Sequence, residues 1–254
     1  MSVVKAQARG GGDSKANGGG RPSRVGAASM RRGKSVRGWG GRRPGAGRKP
    51  KGKRAGVRHA LRPSTDRERV VFVTMRVRDT VPNLRCKKSY KAILAAFSHW
   101  REREGFRLLH FSVMGNHVHL IAEARNKRVL SKAMQGIAIR IAKRLNKVGR
   151  ASGRVFSGRY HSDVLDTPVS VRNVLAYVLC NARKHGIAKK VKRTWVDPWS
   201  SGSAFTGWRG KITCDAQDPP PIADPQSDIG RNWHKRGGGI PPDTVPGQRS
   251  HLRQ

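Results

Sequence analysis

The chain has 254 residues and a strongly cationic composition, with 54 lysines and arginines against 15 aspartates and glutamates and a formal net charge of +39. Only 36% of the residues are hydrophobic and 6% aromatic, which excludes one large packed core spanning the whole chain. A cationic surplus of this size predicts a polyanionic partner, and nucleic acid is the most common one.

The cysteines and the apolar runs exclude further classes of protein. The three cysteines lie far apart and form no C-x-x-C pair, so neither a disulfide framework nor a zinc knuckle is expected. No apolar run approaches the roughly 18 residues of a membrane span, and the first residues lack the apolar block of a secretory signal. We therefore expect a soluble, cytoplasmic, nucleoid-associated protein with no membrane partner.

Composition divides the chain into three predicted regions. Residues 1–63 contain 18 basic side chains against one acid, which predicts a disordered DNA-binding tail. Its run 40–54 (GGRRPGAGRKPKGKR) is similar to an AT-hook, but the core tripeptide is interrupted, so a sequence-independent phosphate-binding arm is favoured. Residues 64–200 hold nearly all the periodic apolar sequence and form the predicted folded domain. Residues 201–254 are predicted to be a polar, disordered tail rich in proline and glycine.

The folded region begins with a predicted strand, followed by a helix and a hairpin. Residues 69–77 (RVVFVTMRV) are rich in valine and bounded by charge, which is typical of a strand. Residues 89–104 carry apolar side chains at helical spacing. Residues 106–114 and 117–124 are predicted strands joined by a glycine–asparagine turn.

A longer helix follows, with apolar residues at steps of three and four from Leu130 to Val148. Residues 159–165 predict a short fourth strand. A last helix is predicted over 169–185, with Pro168 at its first turn and Gly186 just beyond its end. The order β-α-β-β-α-β plus one helix predicts an α+β fold, a ferredoxin-like split βαβ sandwich with an additional C-terminal helix.

A histidine pair in the third predicted strand is the sharpest chemical feature. His117 and His119 are two residues apart, so they face the same way at a spacing of roughly 6.6–7 Å along the strand. Two imidazoles are too few for a structural zinc ion, which takes four ligands. A two-histidine site with open positions suits an ion that also binds a substrate phosphate. The alternative is a pair of half-exposed histidines without a ligand role.

Tyr177 lies in the middle of the last predicted helix, and Asn181 follows one turn later on the same face. A tyrosine hydroxyl has an ordinary pKa of about 10 and is a poor nucleophile. Beside a metal ion that polarises a phosphodiester, it can attack phosphorus. Asn181 offers a neutral oxygen that could complete the coordination. The alternative for Tyr177 is an ordinary packing role in the helix.

Two blocks of sequence together resemble a known family. The run 113–124 (VMGNHVHLIAEA) resembles the HUH motif, which is histidine, a bulky apolar residue and histidine. The runs 153–168 (GRVFSGRYHSDVLDTP) and 171–186 (VRNVLAYVLCNARKHG) resemble the second half of bacterial single-tyrosine HUH transposases, and most nearly their REP-associated branch. The resemblance covers about residues 64–187.

The resemblance implies a ferredoxin-like catalytic domain that acts on single-stranded or hairpin DNA. It implies Mg²⁺ or Mn²⁺ bound by His117, His119 and Asn181. It also implies that Tyr177 attacks the scissile phosphate, leaving a 5′-phosphotyrosine and a free 3′-OH, before a second 3′-OH rejoins the DNA. The REP-associated branch usually continues Asn-Pro, whereas Ala182 follows the asparagine here. Some relatives exchange the tyrosine helix between subunits, so both a monomer and a homodimer remain open.

Other residues have competing interpretations. Tyr160 is a rival nucleophile, disfavoured because no ligand-type residue lies one turn away. Glu123 falls on the histidine face of its strand and is expected either behind the metal site or in an edge salt bridge. Contacts to the phosphate backbone are predicted for a set of basic residues: Arg140, Lys143, Arg144, Lys147, Arg159, Lys189 and Lys190. The alternative for those on the long helix is a solvated face.

Three functions are compatible with these features. The favoured one is a DNA transposase and endonuclease that cleaves and rejoins single strands at hairpin-forming repeats. The second is a catalytically inactive DNA-binding protein on the same scaffold that occupies repeats, and the third is an RNA-binding protein with incidental histidines. A covalent adduct with single-stranded DNA would distinguish the first from the second, and a preference for RNA at matched salt would indicate the third.

Overall fold

The computed structural model describes residues 68–187, 191–216 and 218–247. The predicted tail 1–63, with its AT-hook-like run, lies outside these residues, as do Lys189 and Lys190. None of the helices in the described ranges is both long and apolar enough to cross a bilayer.

In the described part of the chain, five strands form one antiparallel sheet in the order β2-β3-β4-β1-β5. They are β1 (Arg69–Arg76), β2 (Glu102–Arg103), β3 (Phe106–Val113), β4 (His117–Ala124) and β5 (His161–Leu165). Without the two-residue β2, this is the strand order of the ferredoxin-like fold, in which a strand of one βαβ unit separates the two strands of the other. The predicted fold class is therefore confirmed.

Successive side chains of each strand point to opposite faces of the sheet, and each face is covered by its own apolar core. On one face, Val71 and Val73 of β1 pack beneath α1 (Lys87–Trp100) and α2 (Lys127–Gly149). On the other face, Val70, Ile121 and Leu165 pack beneath α3 (Pro168–Leu179). The odd-numbered residues of β4 share the face of Ile121, so both histidines of that strand lie on the α3 side.

Two helices differ from their predicted limits. The first ends at Trp100 instead of residue 104, because Glu102 and Arg103 pair with β3 as a short strand. The last begins as expected, with Thr167 accepting a hydrogen bond from the Ser170 backbone in a capping box. It is interrupted at Cys180 and resumes as α4 (Asn181–Lys184).

The C-terminal segment contradicts the predicted disordered tail from residue 201 onwards. In the described residues it packs on the α3 side of the sheet, where Phe205, Trp233 and Ile240 are buried. It also contains two short helices, α5 (Asp228–Asn232) and α6 (His234–Gly237). The prediction was wrong because widely spaced apolar residues have no periodicity, yet together they cover sheet surface that α3 leaves open. The packed region extends past residue 200, to 247.

Glu123 anchors this segment to the sheet. Its buried carboxylate accepts hydrogen bonds from the backbone N–H groups of Gln226 (2.7 Å) and Ser227 (3.1 Å), and from the Ser227 hydroxyl (2.5 Å). These partners are uncharged, and His119 lies four residues away along β4, roughly 13 Å. Both expectations for Glu123, an acid behind the metal site and an edge salt bridge, are therefore wrong.

Replacing Glu123 by glutamine is expected to lower the free energy of unfolding by about 2 kcal/mol, because a buried amide NH2 would face donors that now meet a carboxylate. Urea unfolding of the full chain measures the change. Glu104→Gln is the control, since that side chain is 89% exposed and should shift the stability by less than about 0.5 kcal/mol. Equal unfolding midpoints for the two variants would contradict the anchoring role.

Candidate active site

The two histidines of β4 converge as their spacing predicts. Their Nε2 atoms lie 3.0 Å apart, with the rings at 74° to each other. Nδ1 of His117 lies 2.8 Å from Oδ1 of Asn116, and Nδ1 of His119 lies 3.0 Å from Oγ1 of Thr74. An amide oxygen only accepts, so Nδ1 of His117 carries the proton and its Nε2 presents a lone pair towards His119.

Their surroundings keep both imidazoles neutral. Burial, followed by the nearby His185, lowers the pKa of His117 to about 4. Burial, followed by His117, lowers the pKa of His119 to about 3. Neutral imidazole is the form that binds metal ions, so both rings are ready to act as ligands at neutral pH.

The histidine pair fits a divalent cation. Adjacent ligands of an octahedral ion with bonds of roughly 2.1 Å lie roughly 3.0 Å apart, which is the observed Nε2 separation. If Nδ1 of His119 donates to Thr74, the Nε2 atoms of both histidines carry lone pairs that face each other. A cation bound between them would relieve this repulsion. No cluster of three or more His, Cys, Asp or Glu in the described ranges could hold a metal. Further ligands would come from an amide, from water or from substrate.

Helix α3 brings Tyr177 against this pair. The Tyr177 ring meets the His119 ring edge-on, with centroids 5.2 Å apart, and contacts Phe72 at 5.9 Å. Nζ of Lys184 lies 4.8 Å from the centre of the Tyr177 ring. Tyr177 is partly buried, and burial raises the pKa of its hydroxyl. The phenol is therefore close to the histidines but needs a nearby positive charge to become a good nucleophile.

Asn181 occupies the first position of α4 and is fully buried. Neither its Oδ1 nor its Nδ2 has a hydrogen-bond partner in the described part of the chain. An unsatisfied buried polar group costs about 1–3 kcal/mol, so this amide is one that an added ligand would satisfy. The contacts that join His117, His119 and Tyr177 do not include Asn181, and its role as a ligand stays a prediction.

Sequence reasoning missed several neighbours of the histidines. Thr74 pairs with His119 in the sheet, and Phe72, two residues earlier on β1, lies on the same face. Both neighbours could be predicted from strand periodicity once the pairing of β1 with β4 is known. The His185 ring lies 6.1 Å from that of His117. The positions of Lys184 and His185 depend on the interruption of the helix at Cys180, for which the sequence carries no signal.

The rival nucleophile Tyr160 lies on the other side of the sheet. It packs against the core beneath α1 and α2, and its hydroxyl is 3.4 Å from Oγ of Ser131. Because the sheet separates this hydroxyl from the histidines, the structure contradicts Tyr160 as an alternative to Tyr177.

The predicted phosphate contacts are not gathered at the histidine site. Four of them lie on α2, which covers the opposite face of the sheet: Arg140, Lys143, Arg144 and Lys147. Arg140 donates a hydrogen bond to Nε2 of His99 on α1 (2.6 Å). Arg159 is exposed ahead of β5. DNA held at Tyr177 would have to pass an edge of the sheet to reach the α2 residues.

Comparison with known proteins finds a family model that covers this region of the chain. Residues 68–181 match the family model described as "Transposase IS200 like". The comparison with curated proteins found no match.

Solved structures that are similar to this chain at low identity include the following two. A REP-associated tyrosine transposase bound to a REP hairpin is 18% identical, with 67% of this chain and 100% of that chain covered and a TM-score of 0.48. A Deinococcus radiodurans R1 protein described as a transposase is 12% identical, with 49% and 95% covered and a TM-score of 0.34. The segment matched by the family model runs from the start of the sheet to Asn181 and contains His117, His119 and Tyr177. Residues 68–181, slightly less than half of the chain, are therefore similar to the IS200-like transposase family.

Proposed function

We propose that this protein cleaves and rejoins single-stranded DNA through a phosphotyrosine intermediate at Tyr177. The match of residues 68–181 to the IS200-like transposase model favours a DNA transposase. The observation that carries the finer proposal is the contact of the Tyr177 ring with His119, beside two Nε2 atoms 3.0 Å apart. This arrangement unites a nucleophile with a pair of metal-ligating groups on one face of the sheet.

His117 and His119 are the proposed ligands of Mg²⁺ or Mn²⁺. A cation bound there would supply Lewis-acid chemistry at the scissile phosphate and offset charge on its non-bridging oxygens. Asn116 and Thr74 hold the two Nδ1 atoms and so direct both Nε2 atoms towards the site. Asn181 is the proposed third ligand through Oδ1, which is buried and unpartnered in the described structure.

Tyr177 is the proposed nucleophile. Its phenol oxygen forms a bond to phosphorus as the bond from phosphorus to the 3′ oxygen breaks, which leaves a 5′-phosphotyrosine and a free 3′-OH. The proton lost by the phenol is balanced by the one that the 3′ oxygen takes up. The ammonium of Lys184, 4.8 Å from the centre of the Tyr177 ring, is the proposed source of the positive charge that would stabilise the phenolate. A second 3′-OH reverses the exchange and rejoins DNA, so no external energy source is required.

The proposed substrate is single-stranded DNA beside a hairpin-forming repeat, which the resemblance of the two motif blocks implies. The net charge of +39 supports binding of a polyanion, with an affinity that falls as salt rises.

A covalent-adduct assay tests the function. The full chain is incubated with Mn²⁺ and a hairpin oligonucleotide labelled at either end, and the products are separated on a denaturing gel. The 3′ label is expected to migrate with the protein, the 5′ label to appear in a shortened strand, and EDTA to prevent both. Tight binding without an adduct would support the inactive DNA-binding protein, and a preference for RNA at matched salt would support the RNA-binding protein.

Replacing Thr74 by valine is expected to weaken Mn²⁺ binding about tenfold, because the Nδ1 atom of His119 loses its partner and the ring its fixed orientation. Titration calorimetry with Mn²⁺ measures the affinity. Thr194→Val is the control, since that hydroxyl contacts Thr213 instead. Equal affinities in the two variants would contradict the positioning role of Thr74.

A further inference from the structure

A cavity of about 500 Å³ lies outside the histidine site but on the same side of the sheet. It is lined by β1, β3, β4, α3 and the C-terminal segment, and the sheet contributes Val70, Leu109, His110 and Ile121. The C-terminal segment contributes three aromatic residues, Phe205, Trp208 and Trp233. Its volume falls within the roughly 300–1,000 Å³ of small-molecule sites, and its wall combines apolar and aromatic side chains with a few polar ones.

His110 gives this cavity a fixed polar group. Its Nδ1 lies 3.1 Å from Oγ of Ser201, which also accepts a hydrogen bond from the backbone N–H of Phe111 (2.9 Å). The Phe205 ring meets the imidazole edge-on at 5.3 Å. Since the hydrogen bond to Ser201 uses Nδ1, the ring has Nε2 left for a ligand. Burial lowers the pKa of His110 to about 4, so the ring is neutral at physiological pH.

The sheet register places this cavity close to the proposed reaction centre. His110 pairs with Ile121, which is two residues beyond His119 on the same face of β4. The offset is roughly 7 Å along the strand and roughly 4.8 Å across to the next strand. A short stretch of single-stranded DNA spans such a distance.

We propose that this cavity binds one unstacked nucleobase of the DNA strand whose phosphate reacts at Tyr177. That this base belongs to the reacting DNA strand rests on the proposed function. The cavity itself adds a site that would recognise a particular base next to the cleaved bond. Proteins hold unstacked bases between aromatic or apolar side chains and read their edges by hydrogen bonds. The aromatic rings and the neutral imidazole suit an uncharged heteroaromatic ring. Asp224 and Arg231 also line the cavity, but both are exposed to solvent.

Neutral deoxynucleosides test the cavity directly, because they carry no phosphate to interact with the basic surface. The full chain is titrated with each of the four, and tryptophan fluorescence reports binding through Trp208 and Trp233. At least one nucleoside is expected to bind saturably, and its affinity should fall at least tenfold in His110→Gln. His99→Gln is the matched control on α1 and should bind unchanged.

An abasic scan with the unaltered chain provides a second measurement that needs no variant. Removing one base at a time from a single-stranded hairpin oligonucleotide should reveal one position whose loss weakens binding at least tenfold. Nucleoside binding that persists in His110→Gln overturns the proposal, as does a flat scan combined with no binding of any nucleoside. Either result would overturn the cavity proposal even if a covalent adduct forms at Tyr177. Binding that depends on His110, without any adduct, would support the cavity and reject the proposed reaction.

Discussion

Replacing Tyr177 by phenylalanine is expected to reduce covalent adduct formation by about 10⁴-fold or more, because the substitution removes only the attacking oxygen. The phenyl ring can keep the edge contacts with Phe72 and His119, so the fold and the affinity for DNA should be preserved. The measurement is the yield of protein–DNA adduct on a denaturing gel, paired with DNA affinity by fluorescence anisotropy at one fixed salt concentration.

The other two tyrosines provide matched controls. The chain has three tyrosines, and Tyr160 lies beneath α1 and α2, across the sheet from the histidines. The Tyr90 hydroxyl donates a hydrogen bond to the carbonyl of Pro198, and burial raises its pKa well above the ordinary value. Tyr160→Phe is therefore expected to form the adduct at the normal rate. An adduct that survives Tyr177→Phe but disappears in Tyr160→Phe would contradict the assignment.

Replacing His119 by alanine is expected to lower both Mn²⁺ affinity and the rate of adduct formation by at least about 100-fold. Groups that merely orient a ligand already account for 10–100-fold in affinity, and the loss of a ligand removes more. Calorimetry gives the affinity, and the adduct rate is followed as a function of Mn²⁺ concentration. Raising the Mn²⁺ concentration should restore part of the rate, since His117 remains.

His161→Ala is the control for this loss. That histidine lies exposed on β5, 3.0 Å from Asp163, and is not part of the converging pair. It is expected to leave Mn²⁺ affinity and the adduct rate unchanged. If His119→Ala also left both quantities unchanged, the histidines would not be ligands and the metal-assisted mechanism would be rejected.

Local patterns were sufficient for the features that depend on neighbours in the chain. A period of two predicts that His117 and His119 share a face, and the structure confirms this through their 3.0 Å separation. The order of strands and helices predicted the ferredoxin-like sheet, because short connections and split βαβ units leave few arrangements. The predicted ends of the helices were less accurate. Strand β2 and the interruption at Cys180 depend on strand pairing and tertiary packing, which the periodicity of side chains does not specify.

The C-terminal segment shows where local patterns fail. Its aromatic residues have no regular spacing, so composition alone indicated a disordered tail. In the structure, Ser227 binds Glu123 from 104 positions away, and Ser201 binds His110 from 91 positions away. Such contacts exist only once the sheet has formed and offers an apolar surface to cover.

The amino-acid order alone determined the strand carrying the histidines, the helix carrying Tyr177 and the antiparallel fold, because each depends on side-chain periodicity within one element. Only the tertiary structure decided which face of the sheet each element covers. Tyr177 therefore lies beside the histidines, whereas Tyr160 and the basic residues of α2 lie on the opposite face of the sheet. The cavity forms beneath the C-terminal segment. The physical reason is that burial of a shared apolar face joins residues far apart in the chain, and no local pattern specifies their partners.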